Sequence, residues 1–142
     1  MKKEVNMEKY TEKEIKSWIW CLHKSLTKKS NVSNGKILYR GQNAKFSEEL
    51  KVGNNFIFGT FISTSPDIRI AEHFADNGTL FIIKIENNNE SNYYCKDITN
   101  LSKYHFEKEI LITFNCIFII TKREKTEKYE IINLTCLGYK NE

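Results

Sequence analysis

Glu107 and Glu109 lie in the run Phe106-Glu107-Lys108-Glu109-Ile110-Leu111-Ile112-Thr113-Phe114. On a strand, side chains alternate between faces. The two glutamates therefore share one face about 6.5 Å apart, while Lys108 and Ile110 point to the other. Like charges held that close repel unless a cation or a substrate offsets them. The run leads on to Phe118-Ile119-Ile120, which places the pair at the mouth of a buried strand. Taken alone, a Glu-x-Glu reads as a solvated strand start, so its meaning depends on what other groups are brought to it.

Two further groups are candidates. Arg40 ends the apolar segment Lys36 to Arg40, with Leu38 on its own face and Ile37 and Tyr39 on the other, and Gly41 follows, where the backbone can turn or approach a ligand. An arginine there either snorkels out of the core, the commoner behaviour, or grips an anion. Ser63-Thr64-Ser65 closes another short strand, Phe61 to Ser65. Neither serine sits in a G-x-S-x-G elbow and no base is placed beside it, so a nucleophilic serine has little support. Glycoside hydrolysis is disfavoured because carboxylates side by side on one strand cannot flank a sugar from opposite faces. His23, His73 and His105 lack the spacing of a metal site, and no EF-hand, Walker or G-x-G-x-x-G pattern occurs.

The elements that must position these groups are legible from patterning. Thr11 reads as an N-cap with Glu14 three residues on, opening an amphipathic helix whose stripe is Ile15, Trp18, Ile19, Leu22 and Leu26. Residues 42–51 hold at most a helical turn, and Phe56-Ile57-Phe58 forms a short apolar segment. Ser65-Pro66-Asp67 reads as a helix start, with Ser65 as cap and Pro66 first, running to about Asp76 and burying Ile68, Ala71, Phe74 and Ala75 before Gly78. Thr79 to Glu86 is nearly uncharged, hence a central strand. Residues 90–105 form an irregular loop carrying Tyr93, Tyr94, Tyr104 and His105, aromatics that suit a recognition surface. After the glutamate strand, Asn115 marks a bend, Cys116 to Thr121 a strand, Lys122 to Lys128 a charged turn, and Tyr129 to Leu137 the last strand.

At 142 residues the chain makes one domain, a helical segment at 10–30 preceding a core at 36–137. The net charge of +4 is carried by the first thirty residues, with eight Lys against four Glu, and the rest is neutral; this is the wet side of a helix, and no nucleic-acid partner is expected. No stretch is long and apolar enough to span a membrane, and no signal peptide is visible. Cys21, Cys95, Cys116 and Cys136 show no C-x-x-C pair and read as buried free thiols, as in a reducing compartment. The expected locations are the cytoplasm or, for a delivered effector, another cell.

The order of the three motifs is the specific signal. Tyr39-Arg40-Gly41, then Phe61-Ile62-Ser63-Thr64-Ser65 followed by Ala71 and Phe74, then Ser102-Lys103-Tyr104-His105-Phe106-Glu107-Lys108-Glu109-Ile110-Leu111 resemble the Arg, Ser-Thr-Ser, Glu-x-Glu signature of the arginine-directed mono-ADP-ribosyltransferases, which include bacterial toxins and vertebrate ecto-enzymes. The resemblance spans residues 37 to about 134. It implies an α+β fold, a split mixed β-sheet of two packed, mainly antiparallel halves with an NAD cleft between them and an N-terminal helix.

It also implies roles. Glu109 is the catalytic glutamate, binding the nicotinamide-ribose hydroxyls and stabilising an oxocarbenium-like state. Glu107 orients and helps deprotonate the acceptor guanidinium. Arg40 contacts the NAD phosphates or the adjacent ribose, and Ser63 positions Glu109. Gly41, Thr64, Ser65, Phe74 and Arg69 join the NAD side, and Tyr104 belongs with Glu107 in acceptor recognition. NAD is the co-substrate, no metal takes part, and the partner is a protein presenting an arginine to a monomeric enzyme. NAD glycohydrolysis is the alternative activity. A catalytically weak NAD-binding or interaction module, docking through the helix at residues 11–28, is the alternative of another class.

Overall fold

Thr79–Ile85, sequence TLFIIKI, has an apolar residue at nearly every position because it is covered on both faces. In the computed structural model, which describes residues 32, 35–86, 95–97, 109–112 and 116–139, this strand is β4. It lies inside a five-stranded sheet of order β1-β4-β8-β7-β2, formed by β1 (Ile37–Gln42), β2 (Asn55–Ile57), β4, β7 (Cys116–Lys125) and β8 (Glu130–Tyr139). A second sheet of order β3-β6-β5 comprises β3 (Ile62–Thr64), β5 (Cys95–Asp97) and β6 (Ile110–Ile112). Among these pairings only β4 with β8 is parallel. The described residues thus form the split, mixed and mostly antiparallel sheet that the motifs imply. The expected helix at 10–30 lies outside them.

One face of β4 presents Phe81, Ile83 and Ile85 to the main core, where they meet Leu38, Ile62, Ile110, Ile112, Phe118, Ile120, Ile132 and Leu134. Rings of Phe46, Phe56, Phe58 and Phe118 close around this layer, mostly edge to face, as their quadrupoles favour. The opposite face, with Leu80 and Ile82, is covered by helix α1 (Ile68–Ala75) through Ala71 and Ala75. Cys95, Cys116 and Cys136 are free and buried in the main core, as expected for the three of the four cysteines that are described. Contact with the Cys136 thiol, then burial, pushes the Cys116 thiol far up, so it stays protonated and unreactive.

Three local expectations need correction. The helix cap is Asp67, whose carboxylate accepts the Arg69 N–H at 3.0 Å, and Ser65 is not the cap. Ser65 is held extended by a two-way backbone bridge to Tyr39 at 2.8 and 2.9 Å, so the helix can begin only after Pro66. The later start turns Ile68 outward, 37% exposed, while Ala71 and Ala75 carry the contact. The charged segment 122–125 is not a turn: β7 continues to Lys125 because Arg123 pairs with Glu130 on β8 at 2.6 and 2.8 Å. The turn proper is 126–129, where the Thr126 hydroxyl accepts the Tyr129 N–H at 3.1 Å. No helix among the described residues is long and apolar enough to cross a membrane.

Candidate active site

Arg40 on β1, Ser63 on β3 and Glu109, the residue just before β6, meet where the two sheets join. The Tyr39–Ser65 bridge stitches β1 of the large sheet to the end of β3 in the small one. Antiparallel pairing of β3 with β6, Ser63 opposite Leu111 and Thr64 opposite Ile110, then carries Glu109 to the same place.

Each residue of Ser63-Thr64-Ser65 has its own task. Ser63 Oγ donates to Glu109 Oε2 at 2.6 Å, the short distance of a hydroxyl bonded to a carboxylate. Thr64 Oγ1 donates to the Ile110 carbonyl at 2.7 Å, pinning β6 beside Glu109. Ser65 makes the inter-sheet bridge with its backbone, while its Oγ accepts the Asp67 N–H at 3.0 Å. Glu109 itself is 1% exposed. A buried carboxylate held by a fixed hydroxyl is oriented before any substrate arrives.

Arg40 reaches the same point from β1. Its Nη1 donates to the Ser63 carbonyl and its Nε to Gln42 Oε1, both at 3.0 Å. Among the described residues no carboxylate lies within salt-bridge distance of it. Burial pulls the guanidinium down to about 10, so it remains a cation at neutral pH. A half-buried cation with no described carboxylate beside it is costly, and the arrangement favours an anion.

The cleft beside these groups is lined by Tyr39, Arg40, Gly41, Ser63, Thr64, Ser65, Ile70, Ala71 and Phe74. The cleft is small, about 30 Å³, and partly open to solvent. Six of the NAD-side residues drawn from the sequence, Arg40, Gly41, Ser63, Thr64, Ser65 and Phe74, line it. Glu109 and Arg69 do not: Glu109 is buried and bonded to Ser63, and the Arg69 guanidinium is exposed and forked onto Asp67 at 3.0 and 3.1 Å. Glu107 and Tyr104 lie outside the described residues. No group of three or more His, Cys, Asp or Glu among the described residues could hold a metal.

Gly41 serves packing here. A Cβ on it would lie 1.8 Å from the Ala71 carbonyl oxygen and 2.5 Å from the Ala75 nitrogen, both helix backbone. The missing side chain lets α1 press onto β1, which sets the position of Ile70 and Phe74. Gly41→Ala should therefore destabilise the fold by about 3 kcal/mol and lower Tm by roughly 10 °C in thermal unfolding. The helix is also tied at its middle by Tyr129 Oη donating to Glu72 Oε2 at 2.7 Å. Gln42 and the Tyr129–Glu72 pair are absent from the sequence reading. Gln42 could have been found by its i+2 spacing from Arg40 on one strand face.

Comparison with known proteins gives matches of fold and of family. The Vis toxin of Vibrio splendidus, an ADP-ribosyltransferase, matches with a TM-score of 0.70 at 26% identity, over 89% of this chain and 58% of its own. Exoenzyme S of Pseudomonas aeruginosa, solved with carba-NAD and human 14-3-3 protein beta, matches with a TM-score of 0.72 at 16% identity, over 89% and 60%. The ATR domain of Salmonella SpvB gives 0.62 at 18% identity, over 91% and 76%. The last two likenesses are of fold. The chain spans less than two thirds of the Vis toxin and exoenzyme S chains. Curated protein sequences gave no significant match. The family model described as NAD:arginine ADP-ribosyltransferase matches residues 2–142, and the chain belongs to that family.

Proposed function

We propose that the protein transfers ADP-ribose from NAD to an arginine side chain of a target protein, releasing nicotinamide. The observation that carries this reading is the buried Glu109 carboxylate, held by Ser63 Oγ at 2.6 Å, with the cationic Arg40 bonded to the carbonyl of the same serine. One carboxylate and one cation, both fixed, match the two charges that NAD brings: a ribose that becomes positive as its bond to nicotinamide breaks, and an anionic pyrophosphate.

In this reaction the glycosidic C–N bond breaks heterolytically and its electron pair leaves with nicotinamide, whose ring is thereby neutralised. Positive charge is left on the ribose C1 and ring oxygen. Glu109, fixed where water is excluded, stabilises that charge without having to reorganise. Arg40 anchors the pyrophosphate, for which a planar guanidinium offers paired donors that a lysine lacks. An acceptor guanidinium nitrogen then bonds to C1 and loses a proton. Its pKa is above about 12, so it needs a local base and close positioning, the role assigned to Glu107.

The test is incubation with labelled NAD and lysate, followed by mass spectrometry of the modified side chain. Arginine-linked ADP-ribose is the expected product. Free ADP-ribose with no protein adduct in any lysate would replace transfer by glycohydrolysis. Glu107→Gln should lower arginine modification by about 10²-fold, the scale of a lost general base. Nicotinamide release without acceptor should stay within a few-fold of wild type, as measured by chromatography.

A further inference from the structure

The acceptor that holds Arg40 is an amide, and that choice has an electrostatic consequence. Arg40 and Gln42 are two residues apart on β1 and so lie on one face, and Arg40 Nε donates to Gln42 Oε1 at 3.0 Å. The second acceptor, the Ser63 carbonyl, is also uncharged. A guanidinium has five N–H donors, so two are committed here and the other three make no bond to a described residue. The cation is therefore oriented by two neutral groups and neutralised by neither.

The mount under Gln42 is rigid. Its backbone pairs with Thr79 in the β1–β4 register, and Thr79 Oγ1 donates to the Ala44 carbonyl at 2.7 Å. Gly78 packs so tightly there that a Cβ would lie 2.2 Å from the Gln42 carbonyl oxygen and 2.4 Å from the Ala44 nitrogen. A side chain rooted in such a backbone can fix its partner with little freedom to follow it.

We propose that Gln42 is a positioning residue for dinucleotide binding, which orients Arg40 through a neutral acceptor so that the whole guanidinium charge is left for the pyrophosphate of NAD. The proposal rests on the NAD reading above. A glutamate at position 42 could accept the same N–H, but its charge would pair with Arg40 and weaken the attraction for an anion. An apolar residue of similar length would keep the charge and lose the orientation.

The experiment uses the full chain carrying Gln42→Met, Gln42→Glu or Arg40→Lys. It measures nicotinamide-release kinetics, ADP-ribose affinity by calorimetry, inhibition by free nicotinamide, and thermal unfolding. Both Gln42 variants should raise KM for NAD about tenfold, with kcat within twofold, and weaken ADP-ribose to match. The nicotinamide inhibition constant, which involves no phosphate, should not move. Wild-type KM in Gln42→Glu alone would show that neutrality is unimportant and overturn the proposal. Wild-type KM in both Gln42 variants, or a parallel rise in the nicotinamide constant, would overturn it as well. If Arg40→Lys raises KM while the Gln42 variants do not, the reading of the site stands and this proposal alone falls. If Arg40→Lys leaves KM unchanged, the NAD reading of Arg40 fails with it.

Discussion

Glu109→Gln should release nicotinamide about 10³-fold more slowly than wild type, with KM for NAD changed by no more than a few-fold. The substitution keeps size and shape, and the amide oxygen can still accept from Ser63 Oγ, which now meets the carboxylate at 2.6 Å. What is lost is the negative charge facing the developing cation. Such a charge acts in the transition state more than on bound NAD, so the loss falls on kcat. A single preorganised electrostatic group is worth roughly 10²–10³ in rate, and a carboxylate facing a full positive charge belongs at the upper end. Single-turnover nicotinamide release separates chemistry from product release. Release at the wild-type rate would remove Glu109 from the reaction. Hydrolysis and transfer share the bond-breaking step, so both should fall together.

The parts of the site that were legible in the sequence are those set by strand alternation. Arg40 at the end of an apolar strand, Ser63 closing another and the Glu-x-Glu run are each local patterns. Their meeting is not local: Ser63 and Glu109 are 46 residues apart, and only the β3–β6 register brings them to 2.6 Å. The motif order of a known family supplied that link, where periodicity could not. Tertiary structure overrode local signals in the same way at Ser65. Its sequence context favours a cap, but two backbone bonds to Tyr39 hold it extended and pass the cap to Asp67.

Charge composition misled at 122–125. Lys122, Arg123, Glu124 and Lys125 look like a turn in isolation, yet Arg123 is 13% exposed on its side chain and satisfied by Glu130 and by the carbonyls of Phe46, Ser47 and Leu50. That network also anchors the segment between β1 and β2. Gly41 shows the converse limit. A glycine after a candidate anion-binding residue invites a ligand-approach reading, and only the 1.8 Å separation from the Ala71 oxygen reveals that a helix occupies the space.

Arg40→Met carries the second large effect, and it should cost affinity with little change in stability. NAD affinity should fall about 10³-fold, because truncating one partner of a buried, hydrogen-bonded charge pair costs about 2–5 kcal/mol. The stability of the unliganded protein should change little. Burial lowers the Arg40 guanidinium to about 10, a penalty of about 3 kcal/mol for keeping the ion charged in the fold. Against this stand the bonds to Gln42 Oε1 and the Ser63 carbonyl, worth about 1.5–3 kcal/mol each because the donor is charged. The two contributions nearly offset, so Tm should stay within roughly 5 °C of wild type. The pH dependence has a definite sign. Below about pH 10 Arg40 is charged in both folded and unfolded chains and the penalty is complete. Above it the folded protein sheds the proton first, and the penalty fades as the pH approaches the unfolded value. Relative to the variant, wild-type stability should therefore be flat at neutral pH and rise above about pH 10, as read by denaturant unfolding. A variant that loses NAD binding and also unfolds more easily would show that Arg40 supports the fold. Lost NAD binding at unchanged stability would show that its charge is kept for a ligand.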